Sequence, residues 1–324
     1  MTADLPKVAI VVRTRNRSQF LRRALADIGK QTFTDYSVTI VNDAGNPAIV
    51  DSVVEDSPPF VRERTTVLHR TESTGMEAAT NAGIWASDSE YCCVHDDDDL
   101  WEPQFLERTA GFLDSHPDTA MVAVRILIRY EREVEGEFVE TGRVPFWGEL
   151  QAITIQDLLA VNRIVPIGIL YRRSLHSEVG MYDESLPAVG DWEFNLRVAS
   201  IHEIELIDEP LALWCQRPGA SGSSANSVLG KAKEHARYDQ QARASAIRAD
   251  LTAGSRIGPY LYQADLARTS LDRADERAEQ VLGEIRSLHA RIDDLERYIA
   301  ERTNPLHMTR RAFSRLRNRR GDLP

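Results

Sequence analysis

The chain has 324 residues, of which 42% are hydrophobic and 27% charged, and its formal net charge is −11. This length suits one large domain with an appendage, the composition is that of a soluble globular protein, and the acidic balance argues against nucleic acid as a partner of the whole chain. No apolar run approaches the ~18 residues of a membrane span, and the N-terminus lacks a secretory signal pattern, so the expected location is the cytoplasm.

Residues 7–12 form an apolar, largely β-branched run that ends in the polar loop Arg13, Thr14, Arg15, Asn16. Phe20, Leu21, Ala24, Leu25 and Ile28 follow at helical spacing. Residues 38–41 read as a second strand ending at Asn42 and Asp43, residues 67–68 as a shorter third, and residues 74–85 as a helix. Residues 91–94 make another apolar strand, which empties into His95, Asp96, Asp97, Asp98 and Asp99 before a helix over about 103–115. In an open parallel sheet the C-terminal strand ends lie along one edge, where ligands bind. Three polar clusters are therefore expected to meet in one cleft.

Residues 121–130 and 138–144 alternate as strands around a turn at Glu135 and Gly136, and residues 192–199 are helical. Residues 217–230 are rich in Gly and Ser without periodicity, as a linker or mobile loop is. Beyond them Leu271, Ala274, Ala278, Val281, Ile285, Leu288, Ile292, Leu295 and Ile299 step by three and four, a heptad seam that Asn304 and Pro305 end. With Leu271 at a, Ile at the later a positions and Leu at the later d positions favour two parallel strands, hence a homodimer. Residues 305–320 carry six arginines and no acid. Such a tail is either disordered or a peripheral contact with anionic lipid at the inner face of the membrane.

Four consecutive aspartates at a strand end carry the most information. They could shape a solvated turn or cap a helix. They could also hold a hard divalent cation, since an Asp-x-Asp triplet offers the oxygen ligands that such ions take beside phosphates, and the ion would neutralise a diphosphate leaving group. The eight histidines show no paired spacing for zinc. His95 reads as hydrogen-bonded, and Cys92, Cys93 and Cys215 as buried apolar filler.

Five ordered blocks then match a known pattern: residues 11–17, residues 41–45, residues 81–84, residues 96–103 and residues 190–193. Together they resemble the family 2 inverting glycosyltransferases of the GT-A fold, an α/β class with a Rossmann-like mixed sheet flanked by helices, over roughly residues 7–217. The resemblance implies a nucleoside-diphosphate sugar donor, a glycan or lipid-linked acceptor, and Mn²⁺ or Mg²⁺ as cofactor. It implies that Arg13, Thr14, Arg15 and Asn16 lie under the donor's base and ribose, that Asp43 meets a uracil edge, that Asn81 belongs to the donor site, and that Asp97 holds the ribose. Asp98 would ligate the metal, Asp96 would support it, and Asp191 would be the base that takes the acceptor's proton.

The chain departs from that pattern where Arg13 and Arg15 replace a proline and an aromatic, Asn42 replaces an acid, Thr80 replaces an arginine and Gly190 replaces a glutamate. Asp43 could instead shape a turn with Gly45, and Asp191 could cap its helix. Trp192 could pack on the acceptor or in the core, and Arg217 could clamp diphosphate or form a surface ion pair. The expected organisation is a glycosyltransferase domain over 1–217, a Gly/Ser-rich loop and connecting helix over 218–256, a coiled-coil helix over 257–304 and a basic tail over 305–324. An inactive nucleotide-sugar-binding scaffold, acting through coiled coil and tail, is the alternative to an enzyme.

Overall fold

The computed structural model describes residues 5–226 and 232–303. The chain divides into two compact units, Met1–Ala246 and Ile247–Pro324.

The first unit is built on β1 (Val8–Thr14), whose apolar run is buried on both faces, as a central parallel strand requires. Its parallel neighbours are β2 (Tyr36–Asp43) and β4 (Tyr91–Asp96), and β3 (Thr65–Arg70) pairs in parallel with β2. The sheet continues through β5 (Leu100–Trp101), β6 (Met121–Val134), β7 (Glu137–Phe146), β8 (Ile169–Arg172) and β9 (Ile204–Gln216). Its order is β3-β2-β1-β4-β8-β6-β9-β5, with β7 paired to β6. Because β8 runs antiparallel to both β4 and β6 while β9 is parallel to β6, the sheet is mixed.

Helices α1 (Ser18–Ile28), α2 (Pro47–Glu55), α3 (Pro59–Arg62), α4 (Met76–Ala86), α5 (Phe105–Ser115), α6 (Ile155–Ala160), α7 (Leu175–Glu178) and α8 (Gly190–Ala199) flank it. Alternation along β1 divides its side chains between two sets of neighbours. Val8, Ile10 and Val12 join Leu21 and Leu25 of α1 and Phe105 and Leu106 of α5 in the main core, while Val11 packs with Val41, Ala79 and Ile84 beneath α4. A further cluster gathers Met121, Ala123, Tyr171, Phe194 and Val198 beside α8. Trp192 belongs to this interior: it is buried and its indole N–H donates to the Leu158 carbonyl at 2.6 Å. The three cysteines are free and buried, as expected.

The strand β9 is absent from the periodicity reading. Its residues include Asp208, Glu209 and Pro210, and Pro210 sits opposite Arg125 where the pairing with β6 shifts register, a place where a missing backbone donor is tolerated. Helix α2 was hidden too, although Asn46 accepts the Ala48 N–H at 3.0 Å and Pro47 opens the helix.

Helix α9 (Ala232–Thr252) follows, and within the first unit its Arg243 donates to the carbonyls of Leu159 and Ala160 at 2.6 and 2.9 Å. In the second unit α10 (Gly258–Thr303) is one continuous helix of 46 residues. Its seam residues Leu271, Val281, Ile285, Leu288, Ile292, Leu295 and Ile299 are all solvent-exposed in the single chain. The basic tail lies outside the described residues. Among those described, no helix is long and apolar enough to cross a membrane.

Helix α4 approaches β1 and β2 closely at Gly83, where an added Cβ would collide with Val11 and come within 2.9 Å of Val41. Gly83→Ala should therefore lower stability by about 1–3 kcal/mol through overpacking, measured as a shift in the urea midpoint at unchanged slope; an unchanged midpoint would contradict the close approach.

Candidate active site

The parallel register decides which charges meet. It sets Arg13 beside Asp96, Thr14 beside Asn42, and Asp43 beside Arg70. The loops after β1, β2 and β4 therefore share one edge, as expected of strand ends in such a sheet.

Each of the four aspartates does something different there. Asp96 accepts from Arg13 Nε at 2.8 Å, and Arg13 Nη1 also reaches Thr80 Oγ1 at 3.1 Å. Asp97, 2% exposed, accepts from Thr14 Oγ1 and from Arg17 Nη1, each at 2.8 Å. Asp98 Oδ2 takes Arg17 Nη2 at 2.9 Å, the Asn226 amide at 3.3 Å, and an ion pair from Arg217. Asp99 faces the other way and accepts the Cys215 N–H at 2.8 Å, pinning β9 against the loop. Burial raises the proton affinity of the Asp97 carboxyl to about 7 despite Arg17. Burial acts on Asp98 as well, but Arg17 and Arg217 overcome it and hold that carboxyl below its ordinary range.

Arg217 is buried rather than a surface charge. It is 3% exposed, and besides Asp98 it pairs with Glu131 at 3.2 Å and donates from Nε to the Ser224 carbonyl at 2.8 Å. Glu131 in turn takes Arg23 at 2.8 Å and Arg129 at 3.2 Å. No sequence pattern pointed to Glu131. It sits at a register shift between Tyr130 and Glu131 in the β6–β7 ladder, and such irregularities re-aim side chains. The guanidinium groups of Arg17 and Arg217 lie 4.3 and 4.5 Å from the centre of the Phe20 ring, which stacks on Phe138 at 4.5 Å.

The Asp43 carboxylate is held by Arg70 at 2.6 Å and by the Ser73 hydroxyl. The turn with Gly45 belongs to Asn42 instead, whose Oδ1 accepts the Gly45 N–H at 3.0 Å. Asn16, at φ 54°, accepts the Asn46 N–H at 3.0 Å and so ties the first loop to the second, and Arg15 beside it is exposed. The Asn81 amide is engaged elsewhere: it exchanges hydrogen bonds with the Tyr182 backbone at 2.9 and 3.1 Å and donates to Glu184 at 2.8 Å. It thus fixes the segment that leads into α8. His95 is fully buried, with Nδ1 2.9 Å from the Asp96 carbonyl.

Asp191 opens α8, with Oδ2 accepting from the Asn162 amide at 3.0 Å. Burial raises its proton affinity, the Trp192 N–H and Arg13 oppose that, and Asp96 adds to it. Asp191, Arg13 and Asp96 are thus within electrostatic reach of one another. A carboxylate of raised proton affinity beside a charged cleft suits general-base work. Asn162 and Glu77, which lines the same pocket of charge, were not legible as site residues.

Residues 9–180 match the family described as "Glycosyl transferase family 2". An uncharacterized glycosyltransferase of Bacillus subtilis, YwdF, is 30% identical over 230 residues, covering 69% of this chain and 79% of its own. A Mycobacterium tuberculosis PGL/p-HBAD biosynthesis glycosyltransferase is 26% identical over 196 residues, 60% of this chain and 70% of its own. In structure the chain is similar to S. aureus TarS 1-349 in complex with UDP-GlcNAc, with a TM-score of 0.53 at 19% identity, over 68% of this chain and 61% of that one. The mixed sheet, the acidic loop at its strand ends and these matches together establish that the chain belongs to glycosyltransferase family 2.

Proposed function

We propose that the chain transfers a glycosyl group, with inversion, from a nucleoside-diphosphate sugar to a hydroxyl acceptor. The observation that carries this reading is the gathering of Asp96, Asp97 and Asp98 at the end of β4, with Arg13 bonded to Asp96 and within electrostatic reach of Asp191 at the start of α8. Such a site can hold a polar donor on one side and deprotonate an acceptor on the other. In this reading Arg13, Thr14, Arg15, Asn16, Asp43, Asp96 and Asp97 bind the donor, with UDP favoured because the Asp43 carboxylate stands at the end of β2 where a base edge would be met. Asn81 contributes by fixing the segment before α8. Asp191 removes the acceptor hydroxyl proton as that oxygen attacks the anomeric carbon and the C–O bond to diphosphate breaks.

Asp98, supported by Asp96, offers the hard oxygen ligands that Mn²⁺ or Mg²⁺ takes. Its carboxylate is shared with Arg17, Arg217 and Asn226 in this structure, and among the described residues no three ligand side chains converge on a common point. The donor set fits a divalent ion in chemistry, provided that Arg17 or Arg217 yields its place. When bound, the ion would supply charge neutralisation for the diphosphate. The displaced guanidinium groups are suited to the same phosphates.

A cytoplasmic location, a glycan or lipid-linked acceptor of bacterial surface-glycan synthesis, and peripheral membrane contact through the basic tail belong to the same proposal. A homodimer through α10 is supported by its exposed apolar seam, since a stripe of that kind is normally covered in solution.

Three measurements check these readings. Asp191→Asn should retain donor binding while the transfer rate falls by roughly 10²–10⁴; an active variant, or a product of retained configuration, would count against the base. Asp98→Asn should abolish the part of donor affinity that depends on Mn²⁺, read by calorimetry with and without chelator, and wild-type affinity that ignores chelator would overturn the cation site. Ile285→Glu with Ile292→Glu should convert a sedimenting dimer to a monomer, and a wild-type chain that sediments as a monomer would remove the coiled-coil contact.

A further inference from the structure

Glu77 is a carboxylate beside the charged cleft that the mechanism does not use. Glu77 lies in the first turn of α4, is 4% exposed, and has one carboxylate oxygen buried with no hydrogen-bond partner. An acid near a helix N-terminus is ordinarily explained by the helix's own free N–H groups, and the Glu77 N–H does serve its own side chain here. Such an acid could stay at the surface. This one turns inward, and burying a carboxylate that is incompletely bonded costs stability unless something else is gained.

What it meets is the start of α8. A Cβ added to Gly190 would lie 2.6 Å from Glu77 Oε1 and 2.7 Å from its Cδ, so the side chain occupies the space that any larger residue at 190 would need. Arg13 lies within electrostatic range of the Glu77 carboxylate. The Glu77 carboxyl thus lies against the first residue of α8 and within electrostatic reach of Arg13. Burial raises its proton affinity to about 7, against Arg13, and the neighbouring Asp191 adds to the rise.

The turn that enters α8 has reason to be held. Val189, its N-cap, adopts φ 65° and ψ 11°, a left-handed conformation that is unfavourable for a β-branched residue and persists only where the surroundings enforce it. Val189, Gly190 and Asp191 are consecutive, so whatever seats Gly190 also aims Asp191. Asn162 holds the Asp191 carboxylate itself, and Glu77 packs against the residue before it.

We propose that Glu77 is a positioning residue for Asp191: delivered from α4, its carboxylate fills the space left by the absent side chain of Gly190 and locks the first turn of α8. This rests on the reading of Asp191 as the base. The arrangement makes residues 77 and 190 a reciprocal pair. A carboxylate can come from either position, and the space does not hold both.

The experiment compares Glu77→Ala, Gly190→Glu, the double variant Glu77→Ala/Gly190→Glu and Asp191→Asn in the full chain. Turnover is measured with a panel of nucleoside-diphosphate sugars, each variant on the donor that the wild type uses, and crystal structures are determined for the wild type and Glu77→Ala. Glu77→Ala should lose about 10²-fold in kcat, as expected of a misplaced catalytic group, with KM for donor unchanged. Its structure should show Val189 out of the left-handed region or Asp191 released from Asn162. Gly190→Glu alone should lose both melting temperature and activity, and the double variant should recover most of the kcat lost by Glu77→Ala. Wild-type kcat in Glu77→Ala, or an unmoved Asp191 in its crystal structure, would overturn the proposal. So would a double variant that regains melting temperature without kcat, since that is the behaviour of a purely structural side chain. An Asp191→Asn enzyme of full activity would instead remove the base assignment, whatever Glu77 does.

Discussion

The organising constraint of this molecule is the burial of a run of acids at the end of β4. Asp97, Asp98 and Asp99 are each below 10% exposed, and adjacent carboxylates withdrawn from water repel one another and lose hydration. The fold answers with arginines from separate parts of the chain: Arg13 at the end of β1, Arg17 just after it, and Arg217 after β9. Removing one partner from such a buried pair leaves an uncompensated charge, which typically costs about 3–5 kcal/mol. The network therefore fixes the loops around the cleft as well as providing its chemistry. It joins the first strand of the sheet to a late one and brings Glu131 of β6 into the same cluster.

A site built in this way is both poised and guarded. Asp98 is ionised because two guanidinium groups surround it, and those same groups are what a diphosphate would attract. In the proposed reading, an anionic donor entering the cleft would compete for the arginines, and a cation would compete for the carboxylate. Each exchange replaces one charge-assisted contact by another of similar strength, so the cleft can accept ligands without leaving buried charge unpaired. Phe20, with Arg17 and Arg217 over its ring and Phe138 stacked against it, gives that exchange a rigid floor.

The acceptor side follows different physics. Asp191 depends on the first turn of α8, on Asn162 from the loop after α6, and on the strained Val189 that precedes it. The proposed donor side is assembled by strand register, whereas the proposed base is assembled by how a helix terminus is seated. A change of one residue type at position 190 can then be absorbed by a residue over a hundred positions away, because both address the same volume.

Much of this was readable before any coordinates. The apolar runs of β1, β2 and β4 and the helical spacing of α1 are local properties, since each residue's burial is imposed by the period of its own element. The ordered blocks from Arg13 to Asp191 marked the family, and the strand-end rule placed Arg13, Asp43 and Asp96 on one edge. The heptad seam of α10 likewise needs only its own spacing. What could not be read was which charge each acid would face. Glu131 is turned inward by a register shift, Arg217 is drawn from beside a loop into the interior, and β9 is a strand despite Asp208, Glu209 and Pro210 because its partner β6 shifts register there. Nothing local singles out Glu77, and Gly190 reads only as a departure from pattern, until the approach of Gly190 to the Glu77 side chain puts both in one space. These pairings join residues remote in sequence, and no local period records them. They exist only once the chain has closed on itself and the cost of buried charge selects the partner.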